Sequence, residues 1–172
     1  MKVIRCTKKA TKALGLAEQD LTEVEFDDRL LDEWYCHLLT IDHRKVMLLT
    51  HAASLYSFVI LGLRKAELRR FPQIFSEHLH ASLVSAGVAR DSVQRVCADA
   101  AEVRYSKPRD RRVLGSMNDL AYNLRFEVHR CGGIDRADAL SLGRGLNEMP
   151  MGLIGMKDSA MCLRERLQGL VT

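Results

Sequence analysis

The sequence has no C-x-x-C pair, no G-x-x-x-x-G-K-[ST] loop, no G-x-S-x-G elbow and no internal repeat. The first absence argues against a zinc ribbon. The second and third argue against a P-loop nucleotide site and a serine-hydrolase nucleophile. Its apolar runs are short and interrupted by charge, so none is a transmembrane segment. Lys2, Arg5, Lys8 and Lys9 open the chain but no long apolar stretch follows, so no secretory signal is read. Reduced thiols and a cytoplasmic location are the corresponding expectation. Cys6, Cys36, Cys97, Cys131 and Cys162 are odd in number and widely spread. They read as small buried apolar residues rather than a disulfide framework.

What is present is the composition of an ordinary globule: 47% hydrophobic and 28% charged over 172 residues, with a net charge of +4. One domain over residues 1–172 is expected. Its centre is Trp34 to Ile60. Trp34–Ile41 is dense in aromatic, β-branched and apolar side chains, as a buried strand tolerates, although one buried helix is the rival reading. Asp42-His43-Arg44-Lys45 is a polar break of hairpin-loop length, Val46–Thr50 a second apolar run, and Leu55–Ile60 a third. Continuous rather than alternating apolar character calls for cover on both sheet faces. The fold class expected is α+β, an antiparallel meander sheet with helices mainly on one face. A partner or a homodimer is a source for cover on the other.

Flanking segments supply the helices. Lys2–Cys6 reads as an opening strand, and Thr7 caps a helix over Lys8–Leu14 that Gly15 stops. Leu68, Phe71, Ile74, Phe75, Leu79, Leu83 and Val84 recur at helical spacing, with a kink or new start at Pro72. Asp91 and Gln94 have capping-box spacing. Glu102–Ser106 reads as a further strand. Val113, Met117, Leu120, Ala121, Leu124 and Val128 form one stripe of the most amphipathic helix, ended by Gly132-Gly133. Asp135 reads as the cap of a helix toward Leu142, the glycines from Gly143 to Gly155 as an irregular stretch, and Asp158 as the cap of a last helix.

Charge is unevenly spread. Residues 16–33 hold Glu18, Asp20, Glu23, Glu25, Asp27, Asp28, Asp32 and Glu33 against Arg29, a balance of −7. Residues 102–112 hold Arg104, Lys107, Arg109, Arg111 and Arg112 against Glu102 and Asp110, a balance of +3. Such asymmetry steers partners, or marks two loops that meet each other. Arg111 to Asp119 sets arginines at a helix start whose amides can face an anion, with Asn118 and Asp119 off the apolar stripe. Asp42, His43, Arg44 and Lys45 supply an acid, a base and two cations at one junction, equally the pattern of a charged hairpin tip. The histidines lack the short ligand pair of a zinc site, since His78 and His80 are two apart on a helix, and no metal or cofactor is read. Leu146 to Gly152 is a methionine-containing turn suited to a lid, to a partner or to closing the core.

Five blocks occur in order: Ile4 to Lys9, Trp34-Tyr35 through Leu38-Leu39, Ile41-Asp42 with Arg44-Lys45, Arg112 to Asp119, and Leu146-Asn147-Glu148 with Pro150-Met151. Together they resemble an uncharacterised family of small bacterial proteins known as a domain of unknown function. The resemblance implies a bacterial cytoplasmic origin and brings no activity with it. Three functional expectations follow. The first is a binding module contacting nucleic acid or another anionic partner through the basic strip. The second is a protein–protein module using the acidic face or the methionine turn. The third is an enzyme on a phosphorylated or nucleotide substrate, with Asp42, His43, Arg112 and Asp119 in one cleft.

Overall fold

A computed structural model describes residues 1–24 and 31–169. The elements run β1 (Lys2–Cys6), α1 (Lys8–Leu14), β2 (Glu33–Ile41), β3 (Arg44–His51) and β4 (Ser57–Leu61). There follow α2 (Lys65–Leu68), α3 (Phe71–Ser85), α4 (Arg90–Cys97), β5 (Val103–Ser106) and α5 (Arg111–Arg130). The chain ends with α6 (Ala139–Asn147), β6 (Pro150–Met151), β7 (Lys157–Asp158) and α7 (Ser159–Gln168). The fold is α+β, and Trp34–Ile41 is a strand, not a helix. Glu25, Asp27, Asp28 and Arg29 of the acidic stretch lie outside the described residues.

Strand order in the main sheet is β4-β3-β2-β1-β5. The meander β2-β3-β4 is antiparallel, but β1 lies between β2 and β5 and is parallel to both, so the sheet is mixed rather than purely antiparallel. A parallel neighbour requires a crossover, which the segment carrying α1 provides between β1 and β2.

Side-chain alternation divides the core in two. Ile4, Cys6, Trp34, Cys36, Met47, Leu49, Phe58 and Ile60 point to one face, under Phe71, Phe75, Leu79 and Leu83 of α3 and Val93 and Val96 of α4. Trp34 anchors this side, with its ring edge-on to Phe58 and Phe75 and its indole N–H donating to the Leu31 carbonyl at 2.6 Å. Tyr35, Leu39, Ile41, Val46, Leu48 and Val59 point to the other face, under Val113, Met117, Leu120 and Leu124 of α5 and Leu142 and Leu146 of α6. The second cover that continuous apolar strands demand therefore comes from the same chain.

The turn between β2 and β3 is two residues, not four. Asp42 and His43 sit at φ 48° and 61°, the left-handed pair of a tight hairpin, and Arg44 and Lys45 already belong to β3. Asp42 tolerates this because its carboxylate accepts the Ile134 N–H at 2.9 Å, which ties the hairpin tip to the segment after α5. Pro72 does begin a new helix, since it sits in the first turn of α3. Two cap assignments change. Ala89, not Asp91, caps α4, leaving Asp91 in the first turn, where its charge suits the helix dipole. Asp138, not Asp135, caps α6, which carries Gly143 and Gly145 inside it.

Each outer strand is bonded at one residue by another segment. Thr22 donates from its backbone to the Tyr105 carbonyl at 2.9 Å beside β5. On β4, α6 presses in through Gly143, where an added Cβ would lie 3.7 Å from the Ser57 carbonyl oxygen. Asn147 one turn later accepts the Ser57 N–H at 2.7 Å and donates to its carbonyl at 2.8 Å. One strand is left incomplete: β1 stops beside Cys36 while β2 continues to Ile41.

Candidate anion-binding site

The unmatched end of β2 is where cations gather. Thr7 donates its backbone N–H to the Cys36 carbonyl at 3.0 Å, and the chain then turns away into α1. Lys9, Lys12 and Ala13 stand three and four residues apart on one face of that helix, while Ala10 packs inward. The αL cap at Gly15 ends the helix after two turns. Lys45 of β3 lies opposite Thr40 across the hairpin. Lys65 and Leu68 come from the short α2. Arg125 reaches from α5, its guanidinium donating to the Thr40 carbonyl at 2.7 Å.

These residues, with His37, Leu38, Leu39 and Thr40 of the β2 end, line a groove of about 600 Å³. Five cations from four elements surround it, and among the described residues no carboxylate lines it. Among the described residues, Lys9, Lys12, Lys45 and Lys65 take part in no ion pair. Lys45 and Lys65 also border an adjoining depression lined by His43, Arg44 and Arg64. The groove potential acts on His37: burial first, then the Lys9 and Arg125 charges, hold its imidazole below the ordinary histidine range. Its Nδ1 lies 3.3 Å from the Thr7 hydroxyl.

The basic strip read from the sequence is arranged differently. Lys107 pairs with Glu18, and Arg109 donates to Glu33 at 2.8 Å, so acidic and basic segments do meet each other. Arg112 folds back on Asp110 at 2.9 Å, and the same carboxylate accepts the Arg112 backbone N–H. Asp110 thereby occupies the helix start that was expected to receive an external anion. Arg104 and Arg111 are exposed, as are Asn118 and Asp119. Beside them lies a cavity of about 350 Å³ lined by Glu33, Tyr35, Arg109, Asp110 and Arg112, in which the cations already have carboxylates.

Beneath the strip is a buried network without a clear signature in the sequence. Arg5, almost fully enclosed, pairs with Glu33 and donates to the Ser106 hydroxyl and the Lys107 carbonyl, both at 3.0 Å. An arginine inside a short apolar strand was the available hint.

Asp42, His43, Arg112 and Asp119 share no cleft. Asp110 meets the Tyr35 hydroxyl near the start of β2, whereas Asp42 meets Ile134 beyond the other end of α5. Twenty helical residues separate the two sites, about 30 Å. Arg44 pairs with Asp135 at 2.8 Å, leaving Lys45 as the residue of that turn that enters the groove.

Cysteine placement is mixed. Cys6 and Cys36 are buried neighbours in register, but Cys97 and Cys162 are half-buried and Cys131 is exposed. Bonding to Cys6 and burial push the Cys36 thiol well above its ordinary range, which keeps it protonated. Among the described residues, no three His, Cys, Asp or Glu side chains are grouped to hold a metal. No described helix is long and apolar enough to cross a membrane.

The model of the family described as Domain of unknown function (DUF6933) matches residues 3–161, and the chain belongs to that family. No curated protein and no solved structure matches it.

Proposed function

We propose that this member of a family of unknown function is a binding module for an anionic partner, which docks in the groove between α1, α2 and the end of β2. One observation supports the reading: five exposed cations converge from distant parts of the chain on a space that no carboxylate lines among the described residues. Like charges crowded together repel one another, so the arrangement costs stability unless a counter-charge is bound. The cations of the basic strip, by contrast, are largely neutralised by Glu18, Glu33 and Asp110. Binding therefore centres on Lys9, Lys12, Lys45, Lys65 and Arg125, with Lys45 shared between the hairpin and the groove.

Fluorescence anisotropy with labelled heparin, a generic polyanion, and with a labelled oligothymidylate tests this directly. Both probes should bind at low salt. For the oligothymidylate, five phosphate contacts give log K a slope of about −3.5 against log salt. The double substitution Lys9→Glu with Lys45→Glu should abolish binding of both, whereas Arg104→Glu should leave it nearly unchanged. Absence of heparin binding at low salt, or binding indifferent to the Lys9 and Lys45 changes, overturns the proposal.

A further inference from the structure

We infer that the natural occupant of this groove is an extended acidic peptide of a protein partner, which joins the main sheet as a strand beside residues 37–40 of β2. The inference rests on the anion-binding reading above and names the partner class.

The backbone carries the argument. Successive residues of a strand point their N–H and C=O groups to opposite sides. The Cys36 carbonyl faces the β1 side, since it accepts the Thr7 N–H. The Leu38 N–H and C=O and the Thr40 N–H therefore face that side too, beyond the point where β1 ends. The Thr40 carbonyl is held by Arg125. The remaining groups, from the Leu38 N–H to the Thr40 N–H, form a short ladder about 7 Å long, with no strand beside it among the described residues. On the outer strands Asn147 bonds Ser57 of β4 and Thr22 bonds Tyr105 of β5, whereas among the described residues nothing bonds the Leu38 backbone on this edge.

What lines the opening selects the occupant. Leu38, Leu39, Ala13 and Leu68 give it an apolar floor, and Lys9, Lys12, Lys45, Lys65 and Arg125 rim it. An incoming strand with alternating apolar and acidic side chains would satisfy floor, rim and backbone together. A second copy of the same edge would bring a second set of cations, so self-pairing is disfavoured. Single-stranded nucleic acid fits less well. Among the described residues no Phe, Tyr or Trp lines the groove to stack a base, and a phosphate backbone has no N–H to give the Leu38 carbonyl.

The experiment compares an acetylated peptide of alternating Val and Glu, two versions N-methylated on alternate sets of amides, and oligothymidylate of matched charge. Affinity is read by anisotropy at one salt concentration, and the Leu38 and Thr40 amides by 15N–1H spectra. The unmodified peptide should bind more tightly than the oligonucleotide and move both amides. One methylated set should bind about tenfold more weakly and the other nearly as well as the parent, because only one set of amides faces β2. Equal affinity of both methylated sets with the parent overturns strand addition while leaving the anion site standing, provided that Lys9→Glu with Lys45→Glu still abolishes binding. Tighter binding of the oligonucleotide overturns the peptide in favour of nucleic acid. If neither probe nor heparin binds, both readings fall.

Discussion

Replacing Asn147 by Ala should cost roughly 3 kcal/mol of folding stability, because its amide completes the edge of the sheet as another strand would. Its oxygen accepts the Ser57 N–H at 2.7 Å and its nitrogen donates to the Ser57 carbonyl at 2.8 Å. Both residues are buried, so water cannot replace the lost partners. Two orphaned backbone groups cost about 1–3 kcal/mol each, with a small cavity added. Ser57 is further pinned through its hydroxyl to Thr50 at 2.9 Å, which limits local relaxation. Urea unfolding measures the loss as a lower midpoint at unchanged slope. Asn147→Asp sharpens the test, since an ionised carboxylate accepts the Ser57 N–H but repels its carbonyl. Folding then favours the protonated acid and raises its pKa. Stability of this variant is fully present below the unfolded value of about 3.9 and is lost as pH rises through the folded one. A loss below about 1 kcal/mol for Asn147→Ala, or a pH-independent defect for Asn147→Asp, refutes the strand-mimic account.

Glu33→Gln should destabilise by about 3 kcal/mol, because it leaves Arg5, only 3% exposed, without its counter-charge. Arg109→Ala should cost less than about 1 kcal/mol in the same urea titration, since Arg109 is 48% exposed and Glu33 keeps Arg5. His37 should titrate below 6.5 in a proton NMR titration of its ring, because burial, Lys9 and Arg125 all oppose its charge. Below 6.5 the unfolded chain therefore takes up more protons at this site, and the His37 contribution to stability falls as pH drops from 6.5 through the folded value. Saturating heparin should move the midpoint upward, whereas an unmoved midpoint places the polyanion elsewhere.

The elements that were legible in the sequence are those specified locally. β1, the β2 run, the start of α3 at Pro72, the stripe of α5 and the Asp158 cap each lie within one window of residue types. What escaped is set by partners far along the chain. Nothing near Lys2–Cys6 says that it lies parallel to β2 and β5, since β5 arrives about a hundred residues later. Asp135 and Asp138 are both suitable cap residues, but Asp135 lies inside the turn Ile134–Arg136 and pairs with Arg44, while Asp138 accepts the Ser141 N–H. The basic strip was conspicuous because its charges are consecutive, yet Glu18 and Glu33 come from the acidic stretch to meet them. The groove is the reverse case. Lys9, Lys12, Lys45, Lys65 and Arg125 are scattered through the chain and each alone reads as a solvated surface cation. They become one site because β1 ends at Cys6 while β2 runs on to Ile41, which opens an edge for α1, β3, α2 and α5 to surround. Charge density along the chain is thus a poor guide to the field the folded chain presents. The better guide is which charges the fold leaves without an opposite neighbour.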